Sequence, residues 1–287
     1  MIGSKVNEYL SPYNRKFGPD PASIKSCMVG GIVMNNASGM SCGTQYNSDR
    51  TLISARIVFA DGSRLDTSDP VSIAAFKTSH QSLIDEIIAI RDDINHDQQL
   101  VERIRNKYSI KNVTGLNLLP FVEYSDPIDI ILHSMAGSEG TLAFISEVTM
   151  STLPKMPLHA DAMVYFKDMS EAARAVIALR SSKVSAVEML DKRSLASVNA
   201  GDVPGLTALL IQTEAASQHE LADNVSEITK ILKRFDTYSD VKFTDDKAES
   251  AKFWAIRSGN CRISISVSSF GLHSKDSEKS FIGSLPN

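Results

Sequence analysis

Apolar and polar positions change rhythm several times along the chain, and each rhythm predicts an element. Ile53 to Phe59 and Arg64 to Thr67 flank Asp61-Gly62, a dipeptide suited to the positive φ angles of a tight turn, which predicts a β-hairpin. From Gln81 to Tyr108 the residues Leu83, Ile84, Ile87, Ile88 and Ile90, then Leu100, Ile104 and Tyr108, recur at helical spacing with a break near Asn95-His96. Two helices follow from that spacing. Ile128 to Met135 is a short β-branched run that reads as a strand, broken by Ala136 to Gly140 before Phe144 to Leu153 resumes as another.

Pro154 and Pro157 mark a domain boundary. Beyond it the pattern predicts strand 161–167, helix 170–181, strand 184–190, helix 191–199, strand 206–213, helix 218–235 and strand 240–244, an α+β order. Asp168 and Ser170 are suited to cap the first of these helices, and Leu221, Val225, Ile228 and Leu232 form one face of a later one. Residues 17–45 are dense in Gly, Pro, Ser and Asn with apolar residues threaded among them, the pattern of an ordered loop. The expected division is 1–156, 157–258 and an atypical, poorly packed tail at 259–287, where Asn260 to Asn287 holds eight serines and no continuous apolar face.

Composition narrows the function classes. The 287 residues are 43% hydrophobic and 22% charged, an ordinary globular balance, and the net charge of -4 gives no broad cationic field for nucleic acid. No apolar run approaches the ~20 residues that cross a bilayer, so no transmembrane segment is expected. Met1 to Glu8 lacks a secretory pattern. The expected location is cytoplasmic, with peripheral attachment at the inner face of the membrane left open. Cys27, Cys42 and Cys261 show no C-x-x-C spacing, so neither a disulfide framework nor a metal site is expected. Neither a P-loop nor a G-x-G-x-x-G fingerprint occurs.

Candidate chemistry lies in small-residue segments. Pro19-Asp20-Pro21-Ala22-Ser23, Gly30-Gly31 and Asn35-Asn36-Ala37-Ser38-Gly39 combine glycines that let backbone approach a ligand with Asn and Ser donors. Gly137-Ser138-Glu139-Gly140-Thr141-Leu142 is a second glycine-framed turn. Together, in this order, the segments resemble the flavin-binding motifs of FAD-linked oxidases of the vanillyl-alcohol-oxidase type, in the D-lactate, glycolate and D-2-hydroxyglutarate dehydrogenase branch. The resemblance covers roughly residues 7–258.

That resemblance implies an α+β fold: a PCMH-type FAD-binding subdomain, of which residues 1–156 are the second half, then a partial ferredoxin-like substrate-cap domain at 157–258. It implies FAD held by Pro19, Asp20 and Ser23, by backbone at Gly30, Gly31 and Gly39, by Asn35 and Ser38, and by Gly137, Glu139, Gly140 and Ile145. It implies hydride transfer from a D-2-hydroxy acid, D-lactate foremost, to flavin N5, and a quinone or cytochrome as electron acceptor in the intact parent. Arg257, in Phe253-Trp254-Ala255-Ile256-Arg257, matches the segment whose arginine grips the substrate carboxylate.

Two features of the family are missing from the sequence, an Arg-Gly-Gly-Gly-Thr-Ser-like loop and a His-x-Gly-Asp-Gly-Asn-x-His segment supplying base and metal ligands, and three scattered cysteines cannot form the cysteine-rich iron–sulfur domain that long members add. No catalytic base is therefore assigned, and the expectation is a truncated member, incomplete at both ends, with weak FAD binding and little turnover. The alternative is a noncatalytic flavin- or nucleotide-binding module.

Overall fold

The computed structural model describes residues 1–113, 115–197 and 207–257. The chain divides into two compact units, Met1–Lys155 and Met156–Asn287. The expected tail at 259–287 and the C-terminal end of the helix expected at 191–199 lie outside the described residues.

The first unit opens with α1 (Gly3–Leu10), β1 (Arg15–Phe17), α2 (Val29–Met34), α3 (Ser48–Thr51), β2 (Leu52–Val58) and β3 (Arg64–Asp66). A helical layer follows: α4 (Pro70–Ser79), α5 (Gln81–His96), α6 (Gln98–Tyr108), α7 (Pro120–Glu123) and α8 (Pro127–Ser134). Then come β4 (Phe144–Met150) and β5 (Thr152–Pro154).

Strand β2 is the centre of an antiparallel sheet in the order β3-β2-β4, and β5 pairs separately with β1. The expected hairpin is present, turned through Gly62 at φ +85°. Along β2, alternation sends Ala55 and Ile57 into a core shared with Phe76, Ile84, Ile131 and Leu132 of the helices, and a register shift between Leu52 and Ser54 brings Leu52 into the same core. Full burial of each large side chain contributes about 1.5–3 kcal/mol. Helix α4 has little apolar periodicity to announce it. It starts at Asp69, which accepts the N–H of Val71, with Pro70 in the first turn.

Two expectations are corrected here. Residues 128–135 form not a strand but α8: Asp126 accepts the Ile128 N–H at 2.7 Å and Pro127 occupies the first turn. Ile128, Ile130, Ile131, Leu132 and His133 are all buried, so burial on every side erased the helical period. Residues 17–45 are not wholly loop, since Gly30 and Gly31 lie inside α2.

The second unit runs β6 (Leu158–Phe166), α9 (Met169–Leu179), β7 (Ala186–Asp191), α10 (Lys192–Ser197), β8 (Thr207–Ala215) and α11 (Gln218–Leu232), then a helical run at 247–257. The sheet is antiparallel in the order β6-β8-β7. One face packs Ala162, Val164, Phe166, Leu209 and Ile211 against Ala172, Leu179, Ile228 and Leu232 from α9 and α11. Asp168 and Ser217 cap those helices. Residues 240–244 do not form the expected strand: a single bridge joins Thr244 to Asp161.

Candidate functional site

The small-residue segments of the first unit converge. Asp20 and Gly39 form an isolated parallel bridge, with the Asp20 N–H donating to the Ser38 carbonyl at 3.0 Å and the Met40 N–H to the Asp20 carbonyl at 3.3 Å. Gly39 has φ +80°, and a Cβ there would stand 1.7 Å from the Asp20 carbonyl oxygen. Only glycine fits this contact. On the other side the Glu139 N–H donates to the Met34 carbonyl at 2.9 Å and Asn35 Nδ2 donates to Glu139 Oε1 at 2.7 Å. A Cβ on Gly137 would lie 3.5 Å from that of Asn36 and 3.9 Å from that of Asn117.

Left-handed backbone gathers at these turns: Asn36, Gly39, Gly137, Glu139 and Gly140 all have positive φ. Glycine adopts this conformation freely, whereas at Asn36 and Glu139 it costs energy and persists where surrounding contacts over-determine it. Here Asn36 is fixed by its Oδ1, which accepts the Asp49 N–H at 3.0 Å, and the α2 end by Ser48 Oγ, which donates to the Ile32 and Ala37 carbonyls.

Beside the turns lies an apolar cavity of about 870 Å³, walled by Gly30, Gly31 and Met34 of α2, by Gly140 and by Ile145 of β4. Nothing stands within 4 Å of where a Cβ would sit on Gly30 or Gly31. Glycine inside a helix costs about 1 kcal/mol against alanine. No neighbour in the described chain requires either glycine, which is the pattern of a surface kept bare for close approach by something else.

Of the predicted site residues, Pro19, Asp20, Asn35, Ser38, Gly39, Gly137, Glu139 and Gly140 belong to the joined turns, and Gly30, Gly31 and Ile145 to the cavity wall. Ser23 is placed differently: its carbonyl accepts the N–H groups of Ser26 and Cys27 in an exposed turn. Asn35 spends its amide on Glu139.

Sequence reasoning missed Asn117 and Lys111 and gave Asn36 only as part of the 35–39 segment. Lys111 Nζ donates to the Gly39 carbonyl at 2.6 Å. Asn117 is buried, and its Nδ2 has no partner among the described residues, an orphaned donor next to Gly137. The one local signal was Gly115-Leu116-Asn117, an ordinary turn composition.

Behind the turns His133 is buried, stacks on Tyr124 at 4.3 Å and donates from Nδ1 to the Asp49 carbonyl at 3.1 Å. Burial pushes its imidazole below the ordinary 6.5 and raises the Asp49 carboxyl above the ordinary 3.8. His133 is a packed core histidine.

In the second unit, Arg257 Nη2 lies 3.3 Å from Glu188 Oε1, and both side chains are half-buried. Among the described residues no cluster of three or more His, Cys, Asp or Glu side chains could hold a metal ion, and no helix is long and apolar enough to cross a membrane.

Comparison with known proteins follows this division. Residues 1–68 match the family described as FAD binding domain, and residues 158–286 the family described as FAD linked oxidases, C-terminal domain. Glycolate oxidase subunit GlcD of Escherichia coli is 22% identical over 88% of the chain, and the mitochondrial D-lactate dehydrogenase [cytochrome] of Arabidopsis thaliana is 25% identical over 88%. D-2-hydroxyglutarate dehydrogenase of Pantoea ananatis is 24% identical over 68%. The chain spans 41%, 36% and 19% of these relatives' lengths. Among solved structures, alkyldihydroxyacetonephosphate synthase superposes with a TM-score of 0.53 at 14% identity, covering 92% of this chain and 41% of that one. For p-cresol methylhydroxylase the TM-score is 0.51 at 14% identity, covering 85% and 43%. These structures show the same PCMH-type α+β fold.

Proposed function

Because the chain belongs to the FAD-linked oxidase family, we propose that it forms the flavin bed and substrate cap of an FAD-dependent oxidoreductase acting on a D-2-hydroxy acid, D-lactate foremost. The observation that carries this reading is the bare glycine pair of α2 facing an apolar cavity, at the point where three turns distant in sequence are hydrogen-bonded together.

The residues present fit a large, flat cofactor with an apolar face. Gly30 and Gly31 allow it to lie against α2 without a side chain intervening. Asp20, Ser38 and Gly39 form a rigid edge whose backbone bonds are already made, so they shape the bed. Pro19 precedes that edge in the chain. Gly137, Glu139, Gly140 and Ile145 border the far side, with Asn35 bracing Glu139.

When bound, FAD supplies the acceptor for the hydride leaving the Cα of the hydroxy acid. Arg257 supplies a fixed cation for the substrate carboxylate, a role suited to its planar fork. The electron acceptor assigned in this reading is a quinone or a cytochrome.

Titration of the purified chain with FAD, followed by assay of D-lactate-dependent dye reduction, tests the reading. Stoichiometric quenching of flavin fluorescence together with dye reduction supports it in full. Quenching without reduction favours the noncatalytic flavin module, and absence of quenching sinks both.

A further inference from the structure

The second unit contains a polar network that the flavin bed leaves unexplained. Alternation along the sheet places Asp161, Gln212 and Glu188 on the face opposite α9 and α11, because their neighbours Ala162, Ile211 and Val187 pack toward those helices. Asp161 is 0% exposed. A carboxylate so placed is costly to bury unless donors replace its water.

Four groups surround it. Gln212 Nε2 donates to Oδ1 at 2.9 Å and Trp254 Nε1 to the same oxygen at 3.2 Å. Ser250 Oγ donates to Oδ2 at 2.5 Å, and His159 Nε2 stands 3.6 Å from that oxygen. Gln212 and His159 belong to the sheet itself. Ser250 and Trp254, four residues apart and so on one helix face, belong to the helical run 247–257.

The start of that run is capped by Asp246, which accepts the N–H groups of Ala248 and Glu249, and Ile256 packs lightly on Leu190, Leu195 and Ala208. From 251 to 257 no residue is fully buried. Two hydrogen bonds to one buried carboxylate tie one face of the run to the sheet. Arg257 is three residues past Trp254, on the same face, where its guanidinium reaches across to Glu188 on β7.

We infer that Asp161 is a positioning residue: through Ser250 and Trp254 it holds the 247–257 run so that Arg257 presents its guanidinium, steadied by Glu188, to a small carboxylate ligand. The inference rests on the proposed role of Arg257 and extends it to residues that never touch the ligand. Glu188 meets Arg257 through a single nitrogen among the described contacts, so a guanidinium fork held in this way can still grip a second carboxylate.

D-Lactate is the probe, and its binding to the full chain is measured by isothermal titration calorimetry. Wild type binds, and Arg257→Leu abolishes binding. Trp254→Phe keeps a ring in the packing but removes the N–H, and it weakens binding roughly tenfold, the effect of losing one hydrogen bond to a charged group. Ser250→Ala acts in the same direction. Leu221→Ala, on the helix covering the opposite sheet face, lowers stability and leaves the dissociation constant unchanged, which separates positioning from general loosening. Trp254 is the only tryptophan in the chain, so its emission shifts in Ser250→Ala and in Asp161→Asn before any ligand is added.

Should Trp254→Phe and Ser250→Ala bind as wild type while Arg257→Leu does not, the positioning role is overturned and the arginine assignment survives. If Arg257→Leu binds like wild type, or wild type does not bind, the arginine assignment itself is overturned and the positioning role with it.

Discussion

Gly39 and Gly30 both belong to the proposed flavin bed, yet replacing each by alanine has opposite consequences for folding. At Gly39 the added Cβ enters left-handed backbone, a cost of about 1–2 kcal/mol, and meets the Asp20 carbonyl oxygen at 1.7 Å. Backbone on both sides of the contact must separate. The Asp20–Ser38 and Met40–Asp20 hydrogen bonds are then lost, at about 1 kcal/mol each. Gly39→Ala therefore destabilises the first unit by about 3–4 kcal/mol. At Gly30 the backbone is helical and the methyl group meets nothing within 4 Å. Gly30→Ala raises stability by up to about 1 kcal/mol while weakening FAD binding at least tenfold, since the methyl occupies the surface kept bare for the cofactor. Urea unfolding followed by far-ultraviolet circular dichroism measures the first effect, with the two units fitted as separate transitions. Flavin fluorescence quenching measures the second. A Gly39→Ala variant as stable as wild type refutes the close-approach argument, and a Gly30→Ala variant with undiminished FAD affinity refutes the bare-surface argument.

Further expectations follow from the first unit. Because burial holds His133 below its ordinary 6.5, the unfolded chain takes up that proton before the folded one. Its stabilising contribution is complete above pH 6.5 and declines as the pH falls through the lowered folded value. His133→Gln flattens this decline in urea midpoints measured from pH 7 to 5, and an unchanged slope contradicts the assignment. Asp126→Ala removes the cap of α8 and costs about 1 kcal/mol. Amide exchange across 130–134 accelerates in that variant if the segment is the capped helix described.

What the sequence disclosed depended on how local each signal was. The 53–67 hairpin, the helix pair from 81 to 108 and most of the alternating elements beyond 158 are set by periodicity and turn residues within a few positions of one another. Residues 128–134 are rich in isoleucine and buried on every side, so composition pointed to a strand. The decisive cues, an Asp126 cap and Pro127, are two residues that the apolar pattern does not weigh. Gly30 and Gly31 suggested loop by propensity, and packing of Ile32 and Val33 into the core enforces a helix there. Likewise the bridge at Thr244 is what remains of an expected strand, because the chain turns there to begin the helical run that carries Arg257.

The candidate site follows the same logic. Its glycine turns were legible because positive φ and close approach restrict residue type strongly. The partners that fix them were not: Asn36 with Asp49, Asn117 with Gly137 and Lys111 with Gly39 are tertiary contacts, the last spanning 72 positions. No short-range pattern encodes such pairs. The Asp161 network joins residues up to 93 positions apart and was equally hidden.

Hydrogen exchange measured by mass spectrometry, with and without saturating FAD, tests the shared flavin bed most directly. Peptides covering 18–23, 35–40 and 137–141 are expected to gain protection together, at one FAD concentration dependence, while those from α6 stay unchanged. Protection of only one of these turns, or flavin binding that leaves all three exchanging as before, would contradict the shared bed.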